Sequence, residues 1–386
     1  MSVQEDSLKL HEKLKGKLNV NSKIPLNTKL DFSLAYTPGV AEPCRKIFAN
    51  KEDVYKYTIK GNCVAVISNG TAVLGLGNIG ASAGIPVMEG KCAIFKELGG
   101  IDAFPICIDS EDIEENIMII KKIAPVFGGV NLEDYKAPEC FEIEARLQDL
   151  GIPVMHDDQH GTAVVVLAGL INSLKVADKK INEIKIVVSG AGAAAMAVTK
   201  LLISYGADSG KMIMLDTKGA IYKDREDLTA NRYKMQIAEI TNKEKIKGNL
   251  EEAIVEADVF IGLSKGGVLK KEFVQKMNQK SIIFAMANPD PEITPSDAKE
   301  AGAFVIVTGR SDFPNQVNNA LGFPGIFRGA LDVRATRITE KMKVAAAEAI
   351  ANMIINPHQE NVIPSITDKN VPLVVAEAVK KAWIGK

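Results

Sequence analysis

Two acidic pairs flank one short stretch of this 386-residue chain, and their types and spacing suit metal chemistry. Glu133 and Asp134 stand in VNLEDYKAPECFEIE, and Asp157 and Asp158 in HDDQHGTA. Paired carboxylates, rather than cysteine or histidine pairs, suit a hard divalent cation such as Mg²⁺ or Mn²⁺ in preference to zinc. The plainer reading makes Asp157 or Asp158 a helix cap and Glu133-Asp134 solvated loop. Lys91 follows in MEGKCAIF, among Met88, Cys92, Ile94 and Phe95. Such a lysine ordinarily snorkels to the surface. Buried near a cation, its pKa would fall from ~10.4 toward ~7–8 and it would become a usable base. Tyr36 sits just before Thr37-Pro38-Gly39, in a constrained loop ahead of a helix starting near Val40. A lone tyrosine reads more readily as a packed amphipathic side chain than as an acid.

The other chemistry-bearing motif is IKIVVSGAGAAAMAVTKLLISYGADSGKMIMLDTKG. A strand, Ile184–Ser189, leads into Gly190, Ala191, Gly192, Ala193, Ala194 and Ala195, and a helix runs on to about Tyr205. A second strand, Met212–Leu215, ends on Asp216, where a dinucleotide fold places the acid that reads a ribose. The glycines let the backbone approach a pyrophosphate, and the helix N-terminus offers free N–H groups. The alternative is an ordinary tight turn between strand and helix. The charge of Asp216 would repel a 2′-phosphate and favour NAD, although Lys218 could receive that phosphate. An earlier GxGxxG (Gly75, Gly77, Gly80), with Asp109 beyond it, is weaker. Pro86 and Gly84 fall where a phosphate-binding helix should run unbroken, so we read a glycine loop with another purpose.

Several elements must position these groups. Residues 1–30 read as a helix and a polar connector, and Cys63–Ser68 as a buried strand. A helix opens at Pro138 and closes near Leu150, with Gly151 as its stop. The run Ile152–Met155 then delivers Asp157 and Asp158 into a tight turn, and Gly161–Leu174 is a strongly apolar helix leading into a second domain. Runs at Asp258–Leu263, Ile282–Met286 and Phe304–Val307 have the continuous apolar character of a parallel sheet covered on both faces. Loops after two of them hold Asn288, Asn318 and Asn319, at the edge where such sheets bind ligands, though loop asparagines usually serve turns. The last ~60 residues show helical patterns without chemistry. The expected fold class is α/β: an N-terminal catalytic domain (1–159) and a Rossmann-type doubly wound parallel sheet (160–386). The hinge would lie near 156–165, and the C-terminal helices could pack back on the first domain.

Composition narrows the function classes. Net charge is −1, hydrophobic content 46% and charged content 25%. This gives no sign of a nucleic-acid partner, disorder or a membrane surface. No apolar run reaches the ~18–20 residues of a membrane span, and the charged N-terminus lacks a signal-peptide core. Five scattered cysteines without a CxxC pair fit reduced thiols in the cytoplasm.

Taken together, SLAYTPGVAEPC, VLGLGNIG, GIPVMEGK, VNLEDYKAPECFEIE, HDDQHGTA, SGAGAAA, ANPDPEI and GRSDFPNQVNNALGFPG resemble malic enzyme of the small prokaryotic type, in order and over essentially the whole chain. The resemblance implies oxidative decarboxylation of L-malate to pyruvate and CO₂ with NAD(P), and a side decarboxylation of oxaloacetate. It implies Glu133, Asp134 and Asp158 as metal ligands, Lys91 as general base and Tyr36 as general acid. Asn288 and Asn318 would contact nicotinamide and malate, Asp157 would orient the lysine or a ligand, and the enzyme would be a homodimer. One departure concerns substrate grip. Larger eukaryotic forms carry an arginine directly before the Leu-Gly loop, where this chain has Thr71-Ala72-Val73. Backbone N–H groups of the Gly75–Gly80 loop, Arg310, or a partner subunit would then hold the carboxylate. The chain also ends without the acyltransferase-like extension of some bacterial relatives. The competing readings are a non-decarboxylating 2-hydroxy-acid dehydrogenase, which usually works with a histidine base, and a catalytically silent dinucleotide sensor.

Overall fold

Short runs of aliphatic residues build two separate parallel sheets in the computed structural model, which describes residues 3–384. The first sheet holds β1 (Cys63–Ser68), β2 (Asp102–Cys107), β3 (Gly129–Leu132) and β4 (Val154–His156), in the order β2-β1-β3-β4 and parallel throughout. The second holds β5 (Ile186–Ser189), β6 (Met212–Asp216), β7 (Gly219–Ala220), β8 (Val259–Gly262), β9 (Ile282–Ala285) and β10 (Val305–Thr308). Its order is β10-β9-β8-β5-β6-β7, with only β7 antiparallel. The chain leaves β5 toward β6 and later returns to β8 on its other side. The crevice at their carboxyl ends is therefore a topological switch point, where open α/β sheets bind ligands.

Apart from β2, half-buried along its length, and the short β7, the strands bury both faces, which is why the sequence runs are continuously apolar. Val64 and Val66 enter one core while Cys63, Ala65 and Ile67 enter another. Ile186 and Val188 likewise separate from Val187. The core holding Val64 and Val66 also holds Ile186, Val188 and Phe284, so apolar packing is continuous between the two sheets.

The Asp157–Ala177 helix lies in that shared core, beginning directly after β4 and carrying the chain to the second sheet. It is long and apolar enough to cross a membrane, but 78% of its apolar window is buried inside the fold, as befits a core helix. Asp157 and Asp158 form its first turn rather than a preceding tight turn, four residues earlier than the Gly161 start expected from sequence. Carboxylates suit that position because the helix N-terminus carries free N–H groups and the positive dipole end. The helix expected from Pro138 spans Glu139–Arg146.

A second difference concerns Pro86. The sequence argues against an unbroken helix here, yet one helix spans Gly80–Gly99 and runs straight through the proline. An interior proline costs about 3 kcal/mol. Met88, Cys92 and Phe95 are fully buried on one face, and roughly 1.5–3 kcal/mol for each large apolar side chain offsets that cost.

The C-terminal helices Phe323–Asp332 and Val371–Ala382 pack tightly on each other. A Cβ at Gly325 would stand 2.6 Å from Val375, and one at Gly329 2.5 Å from the Ala376 carbonyl. Phe323 and Phe327 meet Phe95 edge-on, with ring centroids 4.7 and 5.3 Å away, so this end of the chain lies against the Gly80–Gly99 helix. The helices Val3–Leu14, Lys29–Ala35 and Ala41–Ala49 bury no residue.

Candidate active site

Four carboxylates and one ammonium converge at the carboxyl end of the first sheet. Glu133 directly follows β3, its backbone N–H extending the ladder to the Ile67 carbonyl at 2.9 Å. Asp134 turns the chain away with φ 56°, and its N–H donates to Asp158 Oδ2 at 2.8 Å. Ligand oxygens of Glu133, Asp134 and Asp158 all lie within 4.8 Å of one another. Lys91 reaches into the same place from the Gly80–Gly99 helix, its Nζ 2.7 Å from Glu133 Oε1 and 2.6 Å from Asp157 Oδ2. The Phe323 ring closes the other side of the ammonium, 4.4 Å from its centroid.

The charge balance decides what this pocket can hold. Lys91, Glu133, Asp134 and Asp157 are buried, and Asp158 is partly open. Burial pushes the Asp157 carboxyl up to about 7 against the pull of Lys91. Burial also raises Glu133, with the nearby Asp158 charge adding to it. For Lys91, burial alone would lower the pKa, but Asp157, Glu133 and Asp158 outweigh it and hold the group above its ordinary value. The fall expected of this lysine therefore requires a nearby cation as well as burial. Four acids facing one base leave a formal charge of −3. Hard oxygen donors with surplus negative charge fit Mg²⁺ or Mn²⁺. A dication at Glu133, Asp134 and Asp158 would reverse the field that Lys91 feels.

Three further residues position this cluster: Gly161 and Glu144, to which the sequence reading gave no role, and Asn319, which it named only as a candidate ligand contact. Gly161 has no room for a side chain, since a Cβ there would fall 1.8 Å from Asp157 Oδ1. Asn319 donates its Nδ2 to Asp157 Oδ2 at 2.5 Å. Asn318, the expected substrate contact, caps the next turn with its Oδ1, which accepts from Ala320 N–H at 2.9 Å. Glu144 anchors the start of the Asp157–Ala177 helix: it accepts from His156 N–H at 2.9 Å and from Gln159 Nε2 at 3.2 Å, and pairs with His160 Nε2 at 3.0 Å. Burial would raise Glu144, but His160 and His156 hold its carboxyl down to about 2. A spacing signal existed for both Glu144 and Lys91. Residues 88-91-92-95 and 140-143-144-147 each trace one helical face whose apolar members are buried, so the charged members had to lie beside the core.

Other expected groups lie apart. Tyr36 ends the Lys29–Ala35 helix with its side chain 71% exposed, and its hydroxyl makes no hydrogen bond among the described residues. Arg310 is held bidentate by Asp312 on the exposed surface, with Nε and Nη2 each at 2.8 Å. Asn288 lies against the first domain's glycine loop, its carbonyl 3.0 Å from where a Gly75 Cβ would stand.

The second sheet presents its own cradle. Gly190 at φ 124° lies so near β8 that a Cβ would stand 2.4 Å from the Leu263 carbonyl. Gly192 has nothing within 4 Å of its absent Cβ, leaving open space ahead of the Ala193–Tyr205 helix. A bare glycine that no protein atom requires is what close approach of a pyrophosphate needs. Ala195 is fully buried and seats the helix on the sheet. Asp216 ends β6 but is tied to Arg225 and Lys234.

The family description "Malic enzyme, N-terminal domain" matches residues 15–148, and "Malic enzyme, NAD binding domain" matches residues 159–384. The chain is 55% identical over 385 residues to a bifunctional malic/malolactic enzyme of Bacillus subtilis (strain 168), covering 99% of this chain and 93% of that one. It is 52% identical to an NAD-dependent malic enzyme of Geobacillus stearothermophilus, with 99% and 79% covered. It is 51% identical to an NADP-dependent malic enzyme of Halomonas elongata, with 93% and 85% covered. The solved structure of an NAD-dependent malic enzyme from Thermotoga maritima superposes with a TM-score of 0.94 at 48% identity, covering 97% of this chain and 99% of that one.

Proposed function

This chain belongs to the malic enzyme family and oxidatively decarboxylates malate with NAD(P), and we propose that Lys91 and the adjoining carboxylates carry that reaction. One observation supports the reading above the rest: a buried lysine lies within 2.7 Å of a glutamate that belongs to a three-carboxylate cluster.

Glu133, Asp134 and Asp158 would hold Mg²⁺ or Mn²⁺. When bound, the cation supplies Lewis-acid polarisation of the C2 oxygen and stabilisation of the charge left as CO₂ departs, and the dinucleotide on the Gly190–Ala195 turn supplies the hydride acceptor. Lys91 removes the C2 hydroxyl proton. Recruitment of Glu133 as a ligand takes one anion away from the lysine, which makes its deprotonation easier. Asp157 keeps the ammonium in place and is itself fixed by Asn319 and by the space at Gly161. Tyr36 returns a proton to C3. Asn288 and Asn318 orient nicotinamide and substrate.

A proton donor this exposed needs cover from water, and its surroundings are apolar. Leu30, Phe32, Leu34, Val40 and Phe48, in the stretch of chain that includes Tyr36, are all exposed. A second copy seated on the helices 29–49 would cover them, and this surface supports a homodimer. Five unpaired cysteines support a cytoplasmic enzyme.

The test is an assay of malate with NAD or NADP, following reduced cofactor and CO₂ with and without Mn²⁺. The reading predicts equimolar products and strict dependence on the cation. Reduced cofactor without CO₂, or undiminished turnover after chelation, would favour the non-decarboxylating dehydrogenase instead.

A further inference from the structure

The far end of the dinucleotide crevice has an acid with no capacity left for a ribose. A carboxylate offers about four acceptor positions. Those of Asp216 are all taken: Oδ1 accepts from Lys218 N–H at 2.9 Å and Arg225 Nη1 at 3.0 Å, and Oδ2 from Arg225 Nη2 at 2.5 Å and Lys234 Nζ at 2.6 Å. Its side chain is 5% exposed. Neutral ribose hydroxyls would have to displace charge-assisted bonds, which are roughly twice as strong as neutral ones. The ribose-reading role that the sequence assigns to this acid is therefore closed in this arrangement.

Its charge is also more than compensated. Arg225, Lys234 and Lys218 face Asp216 and Asp227, leaving a net +1 at the crevice end. The repulsion that would exclude a 2′-phosphate is absent. The three cations are not equally available. Arg225 is nearly buried and also donates to the Gly219 and Ala220 carbonyls, so it acts as a brace. Lys218 is open but leans on Asp227 at 3.2 Å. Lys234 is partly exposed, and among the described residues its ammonium gives one of its three donors, to Asp216. Its position is fixed by Asn231, whose Oδ1 caps the Arg232–Ile240 helix by accepting from Tyr233 and Lys234 N–H.

We propose that this crevice is built for NADP, with Asp216 acting as an anchor that holds Lys234 where a 2′-phosphate on the adenosine ribose would meet it. The inference rests on the reading above for the presence of a dinucleotide site, but not for turnover.

Equilibrium titration of the full-length protein with NADPH and with NADH, followed by cofactor fluorescence, tests it without malate. The expected result is NADPH binding at least as tight as NADH. In Lys234→Glu the ratio of NADPH to NADH affinity should fall tenfold or more, and Lys234→Gln should lower it by a smaller factor. Raising the salt concentration should narrow the difference in the unmodified protein. NADPH binding tenfold weaker than NADH, or an affinity ratio unchanged in both variants, would overturn the proposal while leaving the catalytic reading intact. Failure of both dinucleotides to bind would instead overturn the assignment of the crevice itself. Lys234→Gln, which removes charge without adding a repulsive one, keeps the test available if Lys234→Glu does not fold.

Discussion

The pocket around Lys91 and the crevice end around Asp216 are built from the same residue types with the balance reversed. In the first, four carboxylates surround one ammonium, and the acids Glu133 and Asp157 are raised by burial. In the second, three cations surround two acids, and Asp216 is held down to about 2 because Arg225, Lys234 and a backbone N–H outweigh its burial. A surplus of buried negative charge is costly unless a cation joins it, whereas a compensated acid is satisfied as it stands. The first site is thus poised for a ligand of opposite charge, while the acid of the second is part of the scaffold.

Removing the lone base should break the first site most severely. Lys91→Ala is expected to lower malate turnover by about 10²–10⁴-fold while dinucleotide binding persists. Steady-state kinetics beside a fluorescence titration would check both halves, and retained turnover would refute the base assignment. Gly161→Ala probes the same pocket through space alone. Its new methyl would occupy the place of Asp157 Oδ1 and should cost roughly 10²-fold in kcat, the scale associated with ~1 Å misplacements. A near-normal kcat would show that Asp157 does not set the geometry of Lys91. Glu144→Gln should have a smaller effect, about tenfold, because it keeps the shape of the anchor but loses its charge toward His160. Metal affinity measured by calorimetry should fall with it.

At the other site the expected effect is on stability. Asp216→Asn leaves Arg225 and Lys234 without their shared anion and should cost about 1–3 kcal/mol at pH 7. The folded pKa lies at about 2, below the ordinary 3.8, so the charged form is favoured by folding. That stabilisation is complete above ~4 and drains away as pH falls toward 2. Urea melts of the unmodified protein and the variant should therefore differ at pH 7 and converge only as pH falls to about 2. A constant gap would show that packing, not charge, sets the difference.

What could be read from the sequence follows the same physical division. The Gly190–Ala195 turn was legible because strand, glycines, helix and Asp216 follow one another within some thirty residues. The acids at 133–134 and 157–158 were legible as a cluster because one helix-strand unit separates them. The uninterrupted course of the Gly80–Gly99 helix was not, because Pro86 argues locally for a break and only the tertiary burial of Met88, Cys92 and Phe95 overrules it. The partners of Asp216 were also hidden. Arg225 and Lys234 lie 9 and 18 residues beyond it, and no local period shows that their side chains return to its carboxylate. Asn319 and Asn318 are adjacent, and only the turn geometry shows that the former, not the latter, bonds to the carboxylate cluster.

Calorimetric titration with Mn²⁺ tests the central claim most directly, comparing the unmodified protein with Glu133→Gln and Asp158→Asn. Convergence of Glu133, Asp134 and Asp158 on one cation predicts a single site per chain, with affinity falling at least tenfold in each variant. Unchanged Mn²⁺ affinity in both, or no binding to the unmodified protein, would contradict the account.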